Sequence, residues 1–241
     1  YPWLEKRGTN VLARFGYIAE GLYESEEEIK ERNITQFGET YPGQLVKPGD
    51  IKYKDLNGDG HIDEYDMCKI GRGDVPKYYY GFGGDFRYKN IGVGILFQGT
   101  AGADRVMEGS GIRPFTSSTG GGTLYANITD RWSKDDPSND NVFYPRLAWS
   151  SADPSNINNF QTSTWWQKDM SFLRLKQFTV SYYFPKAWTK KSFLSGGRFY
   201  IMGSNVLTFS KFKLWDPELN TNNGISYPNV SSYTIGVAIN L

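Results

Sequence analysis

The sequence has very little of the chemistry that most catalytic sites need. Its 241 residues include one histidine, His61, and one cysteine, Cys68. A Ser-His-Asp triad, a Cys-His pair or a histidine-rich zinc site would depend on that single histidine, so these enzyme classes are disfavoured. A single cysteine also excludes an intrachain disulfide. We therefore expect a protein that is not an enzyme.

The sequence also lacks a charge excess of either sign and any long apolar run. Lys and Arg number 27 against 26 Asp and Glu, which gives a formal net charge of +1. Nucleic-acid-binding domains usually carry a basic excess, so we expect no nucleic-acid partner. No stretch approaches the roughly 20 apolar residues of a membrane-spanning helix. A transmembrane β-barrel remains compatible with this, because its strands alternate apolar and polar residues.

Aromatic residues and glycine, in contrast, are abundant. Aromatics make up 16% of the chain and glycine occurs 27 times, which favours β-structure with many tight turns. From Lys77, "KYYYGFGGDFRYKN" alternates strictly, with Tyr78, Phe82 and Phe86 on one face. A period of two predicts a strand. A short turn at Lys89-Asn90 and the alternating "IGVGILFQG" complete a predicted hairpin.

Three further segments are predicted as strands. They are "SFLRLKQFTVSYYFP", "GRFYIMGSNVLTFS" and the terminal "SSYTIGVAINL". In the first of them, Leu173 and Leu175 are out of phase with Phe178 and Val180. This break in the alternation predicts either a β-bulge or an end that protrudes beyond the membrane.

The connections between these strands alternate in length. Those at Lys89-Asn90 and 185–197 are short, whereas 100–167 and 211–229 are long and rich in Gly, Ser, Asn and Asp. Short turns on one side and long loops on the other are typical of outer-membrane barrels, and Tyr78 at a strand end fits an aromatic girdle. The alternative is a soluble β-sandwich whose apolar strand faces meet in a core.

The residues ahead of the strands form a separate region, 1–76. It contains one predicted short helix, "SEEEIKERN", in which Ser25 is the expected N-cap and Glu28 stands at the capping-box spacing. We therefore expect an all-β protein with one short helix. We expect residues 1–76 to form a loop region. Residues 77–241 are expected to carry the strands, with long loops at about 100–167 and 211–229.

The densest chemical signal in the loop region is the acidic run "DLNGDGHIDEYD". Its spacing matches a calcium-binding loop, with Gly60 at the sharp turn. The predicted ligands are Asp55, Asn57, Asp59, His61 through its carbonyl, Asp63 and Asp66. Calcium prefers oxygen ligands, so alternating short carboxylates suit it. The alternative is an acidic surface turn without a metal.

The role expected for this ion is structural. Pro48-Gly49 excludes a long entering helix, so a paired helix-loop-helix switch is not expected. No nucleophile or water-activating group accompanies the loop. Calcium would therefore hold the loop in shape rather than do chemistry.

Three tryptophans lie in or beside the long loop at 100–167. Trp149, Trp165 and Trp166 are candidates for stacking on the sugar rings of a substrate. The alternative, which we favour, is that they pack the loop or lie at the membrane interface.

Several segments, taken in order, resemble one protein family. They are "GYIAEGLYESEEEI", "KPGDIKYKDLNGDGHIDEYD", "IGRGDVPKYYYGFGGDFRYKNIGVGILFQGTAG", "FLRLKQFTVSYYFP", "IMGSNVLTFSKFKLWDPE" and "YPNVSSYTIGVAINL". In this order the chain resembles the C-terminal part of SusC/RagA-type TonB-dependent outer-membrane transporters of Bacteroidetes. The resemblance covers the chain from about Gly16 to Leu241.

The resemblance implies a fold, a location and partners. The chain would supply the C-terminal antiparallel strands of a large transmembrane β-barrel in the bacterial outer membrane, with long extracellular loops. The plug, the TonB-contacting segment and the signal peptide would lie upstream. The family imports large nutrients, oligosaccharides or peptides, with energy from TonB and with a SusD-like surface lipoprotein as a lid. The soluble alternative is a secreted, calcium-stabilised β-domain that binds carbohydrate or a surface.

The resemblance also implies an orientation. Leu241 and the turns at Lys89-Asn90 and 185–197 would lie at the periplasmic side. The acidic loop and the two long loops would be extracellular.

Overall fold

The computed structural model describes residues 1–38, 46–115, 126–149, 153–190 and 194–240; Leu241 lies outside these ranges. The chain divides into two compact units, each built from three stretches of sequence. The first comprises Tyr1–Asp74, Asp104–Lys168 and Asn222–Ile225, and the second comprises Val75–Ala103, Asp169–Thr221 and Ser226–Leu241. Most of the long loop at 100–167 thus belongs with the N-terminal region rather than with the strands.

Most of the described regular structure is β. The strands are β1 Phe15–Gly16, β2 Ala19–Leu22, β3 Thr35–Gln36, β4 Ile51–Tyr53, β5 His61–Ile62, β6 Cys68–Lys69, β7 Tyr78–Tyr88, β8 Ile91–Ala101, β9 Asp104–Val106, β10 Gln167–Asp169, β11 Phe172–Tyr183, β12 Gly196–Ser210 and β13 Ser232–Asn240. The short strands pair as β1 with β6, β2 with β4, β3 with β5, and β9 with β10. The five long strands form one sheet.

Helices are few and short, but the prediction of a single one was wrong. The described α-helices are α1 Glu26–Arg32, α2 Pro154–Asn159 and α3 Lys186–Thr189; 3-10 turns span Pro2–Leu4, Glu64–Asp66 and Ala126–Thr129. The predicted helix, α1, begins as expected, because Ser25 Oγ accepts a hydrogen bond from Glu28 N at 3.2 Å. Within the described ranges, no helix is both long enough and apolar enough to cross a membrane.

The second unit is a five-stranded antiparallel sheet in the order β13-β12-β11-β8-β7. The predicted hairpin is confirmed, with Tyr88 opposite Ile91 across the turn. Lys89 occupies the left-handed region there, with φ of 53°. Each of the other predicted strands is also present, so the period-two pattern located all five.

The predicted β-bulge in β11 is confirmed. The register shifts between Leu175 and Gln177 against both neighbours, β8 and β12. Lys176 is an extra residue relative to β8, whereas Asn205 and Val206 of β12 both stand opposite it. The extra residue reverses the alternation of β11 on its two sides. This explains why Leu173 and Leu175 share a face with Phe178 even though their sequence phase differs.

An ion-pair cluster ties the start of β11 to the loop that follows β12. Arg174 has an almost fully buried side chain that bridges Asp216 and Glu218, the latter at 3.0 Å. The predicted long loop at 211–229 is thereby anchored at one end. Removing the acidic partners would leave a buried guanidinium unpaired, which is costly.

The first unit has an aromatic core. Its buried cluster consists of Tyr17, Leu22, Phe37, Ile51, Tyr53, Ile62 and Trp132. Trp132 comes from the segment that sequence composition assigned to a long loop, and Tyr144 and Trp166 of the same segment are also buried. The polar composition of this segment hides a few widely spaced large side chains that fill the core.

Backbone geometry at Gly49 permits the close packing of this core. Gly49 has φ of +86°, and a side chain at this position would overlap the Trp132 ring and Arg146 Cβ. Arg146 N donates to the Gly49 carbonyl at 2.7 Å. A left-handed glycine is therefore needed where the 46–53 segment meets the 126–149 segment.

Candidate functional site

The acidic loop folds around its own backbone. Asp55 Oδ1 accepts from Gly58 N at 2.6 Å, and its Oδ2 accepts from Gly60 N at 2.9 Å. Both glycines have positive φ, +77° and +82°. Asp59 Oδ1 accepts from His61 N at 2.8 Å. The first carboxylates of the run thus hold the sharp turn that the calcium template requires.

The end of the run closes the loop. Asp63 caps the 3-10 turn at Glu64–Asp66, because its Oδ1 accepts from Tyr65 N at 2.8 Å. Asp66 reaches back across the loop, with Oδ1 accepting from Leu56 N at 2.7 Å and Oδ2 from Asp63 N at 3.0 Å. Asp66 is buried, and this burial raises its pKa above that of an ordinary aspartate.

The arrangement of these side chains bears on the metal prediction. In the described part of the chain, no group of three or more His, Cys, Asp or Glu side chains is placed to hold an ion. Most of the carboxylate oxygens accept from backbone N–H groups instead, and Asp59 Oδ2 accepts from Asn57 Nδ2 at 2.7 Å. However, each carboxylate offers about four lone-pair sites, so an oxygen that accepts one N–H can also coordinate a cation. The donor set therefore consists of the oxygen ligands that calcium prefers, although the described arrangement does not gather them around one point.

Strands rather than helices flank the loop. β4 at Ile51–Tyr53 precedes the loop and β6 at Cys68–Lys69 follows it, while β5 at His61–Ile62 lies within it and pairs in parallel with β3. This matches the expectation that no paired helix-loop-helix switch surrounds the run.

The three candidate tryptophans have different environments. Trp149 is 69% exposed and packs against Phe115 with ring centroids 5.1 Å apart. Trp165 is half-buried, and its Nε1 donates to the Phe143 carbonyl at 3.1 Å. Trp166 is fully buried, stacks on Phe160 at 5.3 Å, and donates to the Asn159 carbonyl at 2.7 Å. Trp166 is therefore a core residue with no ring face open to solvent, whereas the ring of Trp149 is exposed.

The long sheet of the second unit has two chemically different faces. On one face, residues in register across all five strands are apolar and exposed. Two adjacent rows are Phe86, Val93, Val180, Ile201 and Ile235, and Tyr88, Ile91, Tyr182, Phe199 and Val237. The soluble-sandwich alternative required such faces to be buried in a core. In the part of the chain that the structure describes, these apolar side chains are exposed instead.

The opposite face is polar and rich in glycine. Its rows are Asp85, Gly94, Thr179, Met202 and Thr234, and Arg87, Gly92, Ser181, Tyr200 and Gly236. Arg87 stacks on the Tyr183 ring with Cζ 3.8 Å from the centroid, and Arg198 lies 5.4 Å from the Tyr200 centroid. An apolar face backed by a polar one is the pattern of a membrane barrel strand, whose outer side meets lipid and whose inner side meets water.

A buried polar cluster in the first unit escaped the sequence reasoning. Asp50 is fully buried and accepts from Arg146, Asn159, Ser155 and the backbone N–H of Lys47 at 2.9 to 3.1 Å. Burial raises the pKa of Asp50 and outweighs the lowering by Arg146 and the hydrogen bonds. No local pattern could have indicated this cluster, because the side-chain partners come from distant segments of the chain.

Comparison with known proteins gives consistent results. No family model matches the chain. It is 30% identical over 250 residues to "TonB-dependent receptor P3" of Formosa agariphila, across 96% of this chain and 22% of that protein. It is 23% identical over 242 residues to "TonB-dependent receptor SusC" of Bacteroides thetaiotaomicron, across 97% of this chain and 21% of that receptor.

Solved structures of similar fold agree with these relatives. The structure of the RagAB peptide importer in its open-open state superposes with a TM-score of 0.64 at 20% identity, over 95% of this chain and 22% of that one. The closed-closed state gives a TM-score of 0.62 at 21% identity. At this identity the match shows the fold. The chain spans about a fifth of the length of its curated relatives.

Proposed function

Because this chain is a segment of a SusC/RagA-type TonB-dependent transporter of the bacterial outer membrane, we propose that the whole protein imports a large nutrient through its barrel. The nutrient class is an oligosaccharide or a peptide, and TonB supplies the energy. The observation that supports this most is the five-stranded sheet with one exposed apolar face and one polar face. Such a sheet suits a wall between lipid and a water-filled lumen.

The proposed partner is a SusD-like surface lipoprotein. It would bind the extracellular loops, to which we assign the first unit and the segment 211–221. Support comes from the family and from the ordered packing of the first unit, whose aromatic core makes it a defined surface rather than loose loops. The alternative, a secreted calcium-stabilised domain, lacks support because the apolar strand faces are exposed.

Gene disruption in the source bacterium tests the proposal. The disrupted strain and a TonB-deficient strain are grown on a panel of single oligosaccharides and peptides. We expect both strains to lose growth on the same nutrient class, and expression of the full-length gene to restore growth only where TonB is present. Unchanged growth of the disrupted strain on every nutrient of the panel would contradict transport. A tagged protein that copurifies with no SusD-like lipoprotein would contradict the partner.

We further propose that the loop from Asp55 to Asp66 binds one structural calcium ion. The spacing of its ligands and the closed turn between Asp55 and Gly60 support this. Asp66 adds a physical reason, because it is buried and takes part in no ion pair among the described residues. A cation beside it would offset the cost of burying its charge.

A further inference from the structure

A cavity of about 350 Å³ lies in the first unit, away from the acidic loop. Ligand pockets typically have volumes of about 300 to 1,000 Å³, so a small group fits this one. Its walls include Pro114, Phe115 and Phe160, together with the polar residues Ser110, Arg113 and Asn156. The cavity therefore combines apolar walls with one permanently charged side chain.

Arg113 is the residue of this cavity whose side chain keeps a buried hydrogen-bond donor without a partner in the described protein. Its Nη2 donates to the Phe160 carbonyl at 2.7 Å, and its Cζ lies 5.1 Å from the Phe160 ring centroid. The Nε atom is buried and has no hydrogen-bond partner among the described residues. No described carboxylate forms an ion pair with Arg113, since the ion pairs involve other residues. Burial lowers the pKa of Arg113 and outweighs the raising effect of the nearby Glu108 carboxylate, which forms no ion pair with it.

The other polar residues of the cavity already have partners within the protein. Asn156 Nδ2 donates to the Ala148 carbonyl at 3.0 Å, and Ser110 also has a partner. A sugar needs several hydrogen-bonding groups for its hydroxyls, and this cavity supplies few. A carboxylate beside an apolar side chain needs one guanidinium and an apolar wall, and both are present.

The frame of the cavity is rigid. Backbone N–H groups of Ile112 and Arg113 both donate to the Gly109 carbonyl, at 3.0 and 2.9 Å. The Tyr144 hydroxyl donates to the Ile112 carbonyl at 3.0 Å. Gly111 leaves no room for a side chain, because one would overlap the Asn223 carbonyl. These contacts hold the backbone at Arg113, and the hydrogen bond from Nη2 to the Phe160 carbonyl holds its side chain. A side chain that is already placed reduces the entropy cost of binding a ligand.

We propose that this cavity binds the terminal carboxylate of a peptide whose last side chain is apolar, with Arg113 holding the carboxylate and Phe115 and Phe160 enclosing the side chain. The inference rests on the proposed function, because it names a subsite for the imported nutrient and selects peptide over oligosaccharide. Trp149, exposed beside Phe115, extends the apolar wall outward.

Calorimetry on the full-length gene product in detergent tests this subsite. The probes are Gly-Gly-Phe, its C-terminal amide, and an oligosaccharide of hexuronic acid. We expect the amide to bind at least tenfold more weakly than the acid. Arg113→Gln should abolish the difference between acid and amide. The matched control is Arg131→Gln in the same unit, which removes an exposed arginine outside the cavity and should leave the difference intact.

Two conservative variants test the subsite in case Arg113→Gln does not fold. Arg113→Lys keeps the charge but lacks Nε, and it should retain only part of the preference for the acid. Phe115→Leu should weaken binding of Gly-Gly-Phe more than binding of Gly-Gly-Ala, because it shortens the apolar wall. Thermal unfolding of each variant shows which of them are folded.

The outcomes separate the subsite from the transport function. Equal binding of acid and amide by the parent protein, or an unchanged preference in folded Arg113→Gln, would overturn the subsite. Arg113-dependent binding of the hexuronic oligosaccharide without binding of the peptide would overturn the peptide assignment. Failure of import in cells, with the acid preference intact, would reject the transport proposal and leave the subsite standing.

Discussion

Asp50 and Arg146 form an ion pair between positions 96 residues apart, with Arg146 Nε donating to Asp50 Oδ1 at 3.1 Å. Asp50 is fully buried, whereas the Arg146 side chain is 19% exposed. The pair joins the segment before β4 to the segment before α2. A polar connection thus holds together two parts of the first unit that sequence composition separates into different loops.

Removing the cation of this pair should destabilise the first unit. In Arg146→Met the carboxylate of Asp50 stays buried without its counter-charge, which costs on the order of 3 kcal/mol. The double variant Asp50→Asn/Arg146→Met should be less destabilised than the sum of the two single variants, because the uncompensated charge is gone. Denaturant unfolding of the full-length protein in detergent measures both effects. Additive losses would show that the pair contributes no coupling.

The same pair predicts a pH dependence. The pKa of Asp50 is raised in the folded state, mainly by burial. A carboxylate with a raised folded pKa contributes stability below its unfolded pKa, about 3.9, and loses that contribution as pH rises through the folded pKa. The deficit of Arg146→Met should therefore be largest at neutral pH and shrink as the pH falls towards 4, because protonation of Asp50 removes the charge that Arg146 neutralises. A deficit that is constant between pH 4 and 7 would contradict this assignment.

The two faces of the long sheet predict opposite responses to a charge at adjacent positions. Val180 lies in the exposed apolar row, and Thr179 lies in the polar row on the other face. A lysine facing lipid near the middle of the membrane costs about 2–4 kcal/mol, whereas one facing the lumen costs little. Val180→Lys should thus reduce the amount of folded protein in the outer membrane much more than Thr179→Lys. Equal yields, judged by gel mobility with and without boiling, would oppose the lipid assignment.

The bulge at Lys176 predicts a difference between deletion and substitution. Lys176 is the extra residue that brings the two halves of β11 onto a common face. Deleting it would move Arg174 and its neighbours to the opposite face, because one residue of slip reverses every side chain in a strand. We expect the deletion to prevent folding and Lys176→Ala to fold normally. Folding yields of the two variants, compared with that of the parent protein, decide the point.

The sequence predicted the second unit far better than the first. Alternation in "KYYYGFGGDFRYKN" and the phase break around Lys176 are local signals, and both are present in the structure. The first unit depends on distant pairs instead, such as Ser155 Oγ donating to Asp50 Oδ2 over a separation of 105 residues. A polar residue in a polar segment gives no sign that it will be buried. Because burial within a polar segment cannot be seen in the sequence, the cavity at Arg113 was not predicted. For the same reason, the exposed Trp149 could not be told apart from the buried Trp166.

The acidic loop predicts a response to calcium that separates its two interpretations. If the ion binds, calcium should slow hydrogen exchange of residues 55–66, whereas magnesium at the same concentration should have little effect. Asp66 replaces the longer glutamate of the usual loop, so weak binding is expected and the titration should extend beyond about 10⁻³ M.

Asp59→Asn keeps an oxygen for His61 N but removes a charge, and it should abolish the calcium effect without opening the turn. Exchange that is slow with and without calcium, and unchanged in Asp59→Asn, would mean that backbone hydrogen bonds alone hold the loop. Asp55 and Asp66 already hold the loop ends through hydrogen bonds from backbone N–H groups. The turn is therefore folded without the ion, and slower exchange with calcium would report binding of the ion.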